Sequence, residues 1–221
     1  MSDHPILFSA PMVRAILAGT KTQTRRVMRP QPTELTADEL GRKRPAVPVR
    51  VCGKTVTGLK PCPYGVPGDR LYVKEATWIW CKKTRNGLTP TGRNKYRYEP
   101  VGQHVVYCAD DDKPTDPIDT DPTHCWRYKP ARFMPRWAVR TWIDVVSVRA
   151  ERVQEIAEDD AMAEGVAPWA PKSSLLASLG RPGGSYRNGL HELWDSINAD
   201  RGYPWADNPW VWVLEFRRVK P

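Results

Sequence analysis

Twenty-two prolines and fifteen glycines in a chain of 221 residues constrain the fold more than any other feature. Proline lacks a backbone N–H and fixes φ, and glycine enters turn conformations without a steric penalty. Elements must therefore be short and joined by many turns, with few long helices. The rest of the composition, 40% hydrophobic and 27% charged, is that of an ordinary globular protein and argues against disorder over most of the length. The length suits about one to one and a half domains. No run approaches 18 apolar residues, so a transmembrane helix is not expected. Met1-Ser2-Asp3-His4 has neither the basic nor the apolar region of a signal peptide. A cytoplasmic protein without a membrane partner is the expectation.

Pro5–Ser9 reads as a short strand. Ala10-Pro11 opens a helix, where the missing proline N–H costs little, and Gly19 is a suitable stop. Thr20–Met28 follows as a strand. Thr22, Thr24 and Arg26 share one face, and Gln23, Arg25 and Val27 the other. So polar a strand is expected to face water or a ligand. Residues 30–66 hold six prolines and the basic run Gly41-Arg42-Lys43-Arg44, and read as an excursion with a hairpin at Val47–Thr57. Leu71–Trp80 reads as one long strand, residues 82–103 as a loop or hairpin, and His104–Ala109 as a short strand. Asp110–Pro122 carries six aspartates without EF-hand spacing and reads as an exposed acidic loop. Val139–Val153 gives the strongest strand signal. A helix is expected at Ala157–Glu164, its acidic start suited to the positive helix N-terminus. Residues 167–184 read as a Pro/Gly/Ser insertion, Tyr186–Asn198 as a helix, and Trp210–Val219 as a strand by its alternation. This order predicts an α+β fold, best met by a small curved sheet or barrel with helices at its ends. Neither GxGxxG nor GxxxxGK[ST] occurs, and no internal repeat is present.

The formal net charge is +9, and it is uneven. Residues 1–60 carry +7, residues 61–150 carry +5, and residues 151–221 carry −3. A basic N-terminal two-thirds suits a polyanion: nucleic acid, a nucleotide or an acidic membrane surface. The five cysteines (52, 62, 81, 108 and 125) are odd in number and form no CxxC. Thiols are expected rather than disulfides or a metal centre, although Cys108, Cys125, His104 and His124 are the residues a zinc site would have to use. No cofactor is expected.

Ile16-Leu17-Ala18-Gly19-Thr20-Lys21-Thr22-Gln23-Thr24-Arg25-Arg26 resembles the opening motif of the ASCH domain family, a helix ending in Gly followed by Lys-Thr-x-Thr-x-Arg. Gly68–Glu75, Met134–Ala138, Val148–Gly165 and Asn208–Val213 look similar, in the same order, to the longer phage- and prophage-type members. The matched pieces cover about half the chain. The resemblance implies a PUA-like fold, a small β-barrel flanked by helices, in a single domain with insertions at about 30–66, 82–130 and 167–184. It also implies RNA binding, and a kinship with a small bacterial branch that removes the acetyl group from N4-acetylcytidine with a Lys, a Thr and a Glu. Position by position these fall on Lys21, Thr24 and Glu164. Thr22, Arg25, Arg26, Glu75, Arg136 and Trp137 are the further candidates for holding a modified nucleoside, RNA or DNA.

Amide hydrolysis needs a nucleophile, a base and donors for the oxyanion. Threonine is a weak nucleophile at neutral pH. Lys21 can serve as its base only if burial or nearby cations lower a pKa normally near 10.4, whereas a carboxylate beside it raises that pKa. Lys21 and Thr24 converge only if Lys21 sits in the turn before the strand. Glu75, on an otherwise apolar strand, needs a partner, with Arg25, Arg26 or Arg136 expected. Trp78, Trp80, Trp142, Trp194, Trp210 and Trp212 lie in periodic elements and read as core. Trp126, Trp137, Trp169 and Trp205 lie in or beside loops, and one or two of them are left for base stacking, Trp137 first because Arg136 and Arg140 flank it, with Tyr72 and Tyr107 as alternatives. The leading expectation is an amidohydrolase acting on N4-acylated cytidine. The alternatives are a non-catalytic RNA- or DNA-binding module and a ribonuclease, although His4, His104, His124 and His191 are too scattered for paired acid–base work.

Overall fold

In a computed structural model, which describes residues 3–32, 34–37, 43–51, 54–110, 113–169 and 184–219, strands predominate and helices are few. The fold is α+β. Eleven strands among the described residues form three sheets, in the orders β1-β6-β10-β11-β2, β3-β4-β5 and β8-β7-β9. None of these sheets is a closed barrel among the described residues.

The chain divides into two compact units. The first holds residues 1–4, 15–71 and 143–221, and the second residues 5–14 and 72–142. The five-stranded sheet runs from β1 (Asp3–Leu7), β6 (Arg70–Lys74) and β10 (Trp142–Arg152) to β11 (Trp210–Val219) and, at its edge, β2 (Gln23–Val27). β1, β6 and β10 each continue along the chain from one unit into the other. β11 pairs antiparallel with β2 in the register Val211↔Val27, Val213↔Arg25 and Glu215↔Gln23. The alternation seen in Trp210–Val219 holds over the same bounds.

The helix α1 (Ala10–Leu17) ends at Gly19, whose N–H donates to the Ile16 carbonyl at 3.1 Å. Two helices of the first unit, α2 (Glu158–Ala163) and α3 (Tyr186–Asn198), match their expected positions. The Ser185 hydroxyl caps α3 by accepting from the Asn188 N–H. α2 and α3 pack with β11 around Val153, Ile156, Ala161, Leu190, Trp194, Trp205, Val211 and Val213. Burying an aliphatic side chain of this kind contributes about 1.5–3 kcal/mol. Trp205 thus belongs to the core, at 6% exposure, and not to the loop tryptophans left for stacking. It stacks on His191 with ring centroids 4.9 Å apart.

The expected hairpin at 47–57 is present as β4 (Lys43–Val51) and β5 (Lys54–Leu59), with β3 (Glu34–Ala37) added on the other side of β4. Residues 41 and 42 of the basic run, Cys52, and residues 170–183 of the expected insertion lie outside the described residues.

The expected long strand at 71–80 is two strands. β6 ends at Lys74, and β7 (Thr77–Leu88) starts a different sheet. The break at Glu75-Ala76 is where the chain changes sheets, so one periodicity cannot describe both sides. β7 pairs with β8 (Asn94–Tyr107) and with β9 (His124–Lys129). The strand expected at 104–109 is the last part of the fourteen-residue β8, so residues 82–103 form a hairpin. No helix among the described residues is long and apolar enough to cross a membrane.

Candidate functional site

Lys21 lies in the turn between α1 and β2. The N–H groups of Thr20 and Lys21 both donate to the Ala15 carbonyl, at 2.9 and 3.1 Å. The next N–H, of Thr22, reaches the Ala163 carbonyl in α2 at 2.9 Å. This backbone stitching sets the start of β2 against the C-terminal end of α2. Gly165 makes the approach possible. Its φ is +71°, and a Cβ there would fall 2.9 Å from Lys21 Cβ and 3.1 Å from Ala15 Cβ.

Lys21 is 1% exposed as a whole residue. Its Nζ donates to the Glu164 Oε2 at 2.8 Å and to the Glu164 carbonyl oxygen at 2.7 Å. The other carboxylate oxygen, Oε1, accepts from Arg25 Nη1 at 3.2 Å. Arg25 Nη2 donates to Asp160 Oδ2 at 2.9 Å and to Glu151 Oε2 at 3.3 Å, and Gln23 Oε1 accepts from Arg25 Nη1 at 2.5 Å. Arg149 completes the network through Asp160 at 2.9 Å and through close contacts with Glu151 and Glu215. Lys21, Arg25 and Arg149 thus engage four carboxylates.

Gln23, Thr24 and Arg25 are all buried. β2 therefore turns these polar residues away from water on both of its faces. The polar groups on α2, β10 and β11 supply what water would have supplied, which is the condition for burying charge. The edge position of β2 brings the end of α2 beside it.

Burial is the largest influence on Lys21 and lowers its pKa from the ordinary value. The charge and hydrogen bond of Glu164 oppose this, and Arg26 and Arg25 add to the lowering. The conflict between a depressed lysine and an adjacent carboxylate is thus resolved in favour of desolvation. Burial also lowers Arg26, with Glu164 among the opposing charges. Asp160 is held below the usual carboxylate range; burial pushes it upward, but hydrogen bonds from Gln23 and Arg25 and the charges of Arg25 and Arg149 prevail.

Thr24 is buried in β2 opposite Leu214. Strand alternation puts it on the face shared with Arg26, not with Gln23 and Arg25. Thr22 is exposed. Glu164, Lys21 and Arg25 are brought into direct contact, and Lys21 occupies the turn position that convergence with Thr24 requires. A cavity of about 690 Å³ is lined by their chain neighbours Thr20, Thr22, Ala163 and Gly165, together with Met162 and Tyr186, rather than by Lys21 and Glu164 themselves.

The remaining candidates belong to the second unit. Glu75 is 1% exposed, and its partner is Arg140, not Arg25, Arg26 or Arg136. Arg140 Nε and Nη2 donate to the two Glu75 oxygens at 2.9 and 3.0 Å, the bidentate geometry natural to a guanidinium. Arg140 also contacts Asp110 and sits 3.8 Å from the Tyr107 ring centroid. Although burial works against it, these carboxylates raise the Arg140 pKa. Arg136 and Trp137 are exposed on a single 3-10 turn. Arg136 lies over the rings of Tyr72 and Trp142, at 5.0 and 5.6 Å.

Glu151, Asp160, Arg149 and Glu215 escaped the sequence reading. Arg149 and Glu151 share a strand face by their spacing, and that signal was available. The pairing of β2 with β11, which places Glu215 opposite Gln23, was not. Cys62, Cys81, Cys108 and Cys125 are free thiols. Among the described residues no group of three or more His, Cys, Asp or Glu is arranged to hold a metal ion. No protein-family model, curated protein or solved structure matches the chain.

Proposed function

We propose that this chain is a PUA-like protein of the ASCH type that binds a nucleoside and hydrolyses the acyl group from an N4-acylated cytosine. The observation that carries this reading is the buried Lys21–Glu164 pair, 2.8 Å apart, in which the lysine pKa is nonetheless lowered. A lysine whose pKa burial lowers suits a general base better than an ordinary surface lysine does. In the reaction, Lys21 takes the proton from the Thr24 hydroxyl as its oxygen attacks the acyl carbon. The cytosine N4 leaves with that proton, and water then hydrolyses the acyl-threonine. Glu164 holds Lys21 in position, and the cations of Arg25 and Arg26 favour an anionic intermediate.

The test is incubation with N4-acetylcytidine while cytidine release is followed. Wild type should turn over. Lys21→Met and the isosteric Thr24→Val should each lose at least about a hundredfold, in the range of a lost general base or nucleophile. No turnover in wild type, or unchanged turnover in Thr24→Val, rejects the reaction.

A second reading has its own observation. Lys21 Nζ also donates to the backbone carbonyl of Glu164, the C-terminal cap of α2, as a helix-capping lysine does. The pair then only fastens α2, and the protein binds nucleic acid without turnover. Salt-dependent oligonucleotide binding with no cytidine release selects this reading.

A further inference from the structure

We infer that the outer part of the β7–β8 hairpin is an arm that binds duplex DNA in its major groove. The inference rests on the second unit and is independent of the Lys21–Glu164 pair. β9 accompanies β7 only as far as Lys82. The Lys83 N–H still bonds the Thr123 carbonyl at 2.8 Å, and from Thr84 outward the hairpin is a bare two-stranded ribbon with the pairs Thr84↔Arg97 and Arg85↔Tyr96. Seven residues of β7, from Lys82 to Leu88, are exposed, which at about 3.4 Å per residue is a reach of about 20 Å.

Six side chains between positions 82 and 99 are cationic (Lys82, Lys83, Arg85, Arg93, Lys95 and Arg97), and one, Glu99, is acidic. This short stretch therefore carries +5 of the chain's +9. Glu99 is occupied by Arg97 at 3.0 Å. The charge is not solvating any core, because almost every residue of the stretch is exposed. Strand alternation puts Lys83 and Arg85 on one face with Tyr96 and Tyr98, and Lys82, Lys95 and Arg97 on the other. Lys83 Nζ lies over the Tyr96 ring, 4.1 Å from its centroid, which keeps an aromatic ring and a cation together on an open surface.

Cations on both faces of a ribbon fit a site with anionic walls on two sides. An acidic protein surface offers one such wall. The major groove of B-form DNA offers two, is about 12 Å wide, and admits a two-stranded β-ribbon. The major groove of A-form RNA is too deep and narrow to do so. Duplex DNA is therefore the partner.

The test uses the full chain and a fluorescent 20-base-pair DNA duplex of mixed sequence, with anisotropy measured over about 50 to 200 mM salt. If all six cations meet phosphates, log K falls against log salt with a slope of about −5. Lys83→Ala, Arg85→Ala, Lys95→Ala and Arg97→Ala combined should flatten that slope by about 4 and weaken binding at low salt at least about a hundredfold. The charge-keeping pair Lys83→Arg and Lys95→Arg should retain binding. A control pair on the first unit, Arg201→Ala with Arg217→Ala, should change little. Unaltered binding in the fourfold variant, equal or tighter binding to an RNA duplex or single strand, or no DNA binding at 50 mM salt would each overturn the inference.

Discussion

Glu164→Gln tests the buried network most directly. The substitution preserves shape and one acceptor, but it leaves the Lys21 ammonium with no anion in contact. The side chains of Lys21 and Glu164 are 0% and 5% exposed, so solvent cannot replace the lost charge. Arg25, bonded to the same carboxylate at 3.2 Å and still held by Asp160 and Glu151, and Arg26 then add repulsion toward Lys21 that Glu164 no longer offsets. Removing one partner of a pair this deeply buried costs about 3–5 kcal/mol. For a chain of this size that corresponds to a fall in Tm of about 6–20 °C. The sign of the pH dependence follows from the lysine. Its folded pKa lies below its unfolded value of 10.5, so the unfolded chain binds more protons in the window between them, and stability rises with pH there. Without Glu164 the folded pKa drops further, so the window widens downward and the variant's deficit shrinks as pH rises toward 10. Urea unfolding followed by circular dichroism between pH 6 and 10 measures this. Replacing both partners, as Lys21→Met with Glu164→Leu, should recover most of the loss. A Glu164→Gln deficit below about 1 kcal/mol, or one that grows with pH, refutes the reasoning.

Three further outcomes are expected. Gly165→Ala should lose at least about 2 kcal/mol in urea unfolding, because alanine pays for a left-handed backbone and its Cβ meets Lys21 and Ala15 at 2.9 and 3.1 Å. Trp205→Ala should cost about 3–5 kcal/mol as a core truncation; weakened oligonucleotide binding with unchanged stability would return Trp205 to the stacking candidates. Asp160 contributes stability above its unfolded pKa that is lost as pH falls through its lower folded value, so Asp160→Asn should flatten the acid limb of the stability curve, measured by thermal melts from pH 2 to 6.

Elements with a single environment were legible in the sequence. Tyr186–Asn198 and Trp210–Val219 show uninterrupted periodicity, and their bounds hold. The failure at 71–80 has a specific cause, because the chain passes from one sheet to another at Glu75-Ala76 and a pattern reading has no term for that transfer. Trp205 was misjudged because its core partners, Val153, Val211 and Leu190, come from distant segments. The Lys21–Glu164 contact was expected from the family resemblance, not from periodicity. The carboxylates around Arg25 were not expected, because only the register of β2 on β11 brings Glu215 to Gln23. Glu75 announced that it needed a counterion, but the choice of Arg140 over Arg136 depends on the turn of which Arg136 is part.

The pairing of β2 with β11 also has a consequence for synthesis. Gln23 and Glu215, facing each other across that pair, are 192 residues apart. At about 5–20 residues per second, roughly ten to forty seconds pass on the ribosome before the partner strand of β2 is made. During that wait β2 is an unpaired strand, the kind of segment on which nascent chains aggregate. Its sequence, Gln-Thr-Arg-Arg-Val, carries two cations and one aliphatic residue, a composition that discourages edge-to-edge pairing with other chains. The charges that later sit in a buried network thus first serve as the segment's own protection.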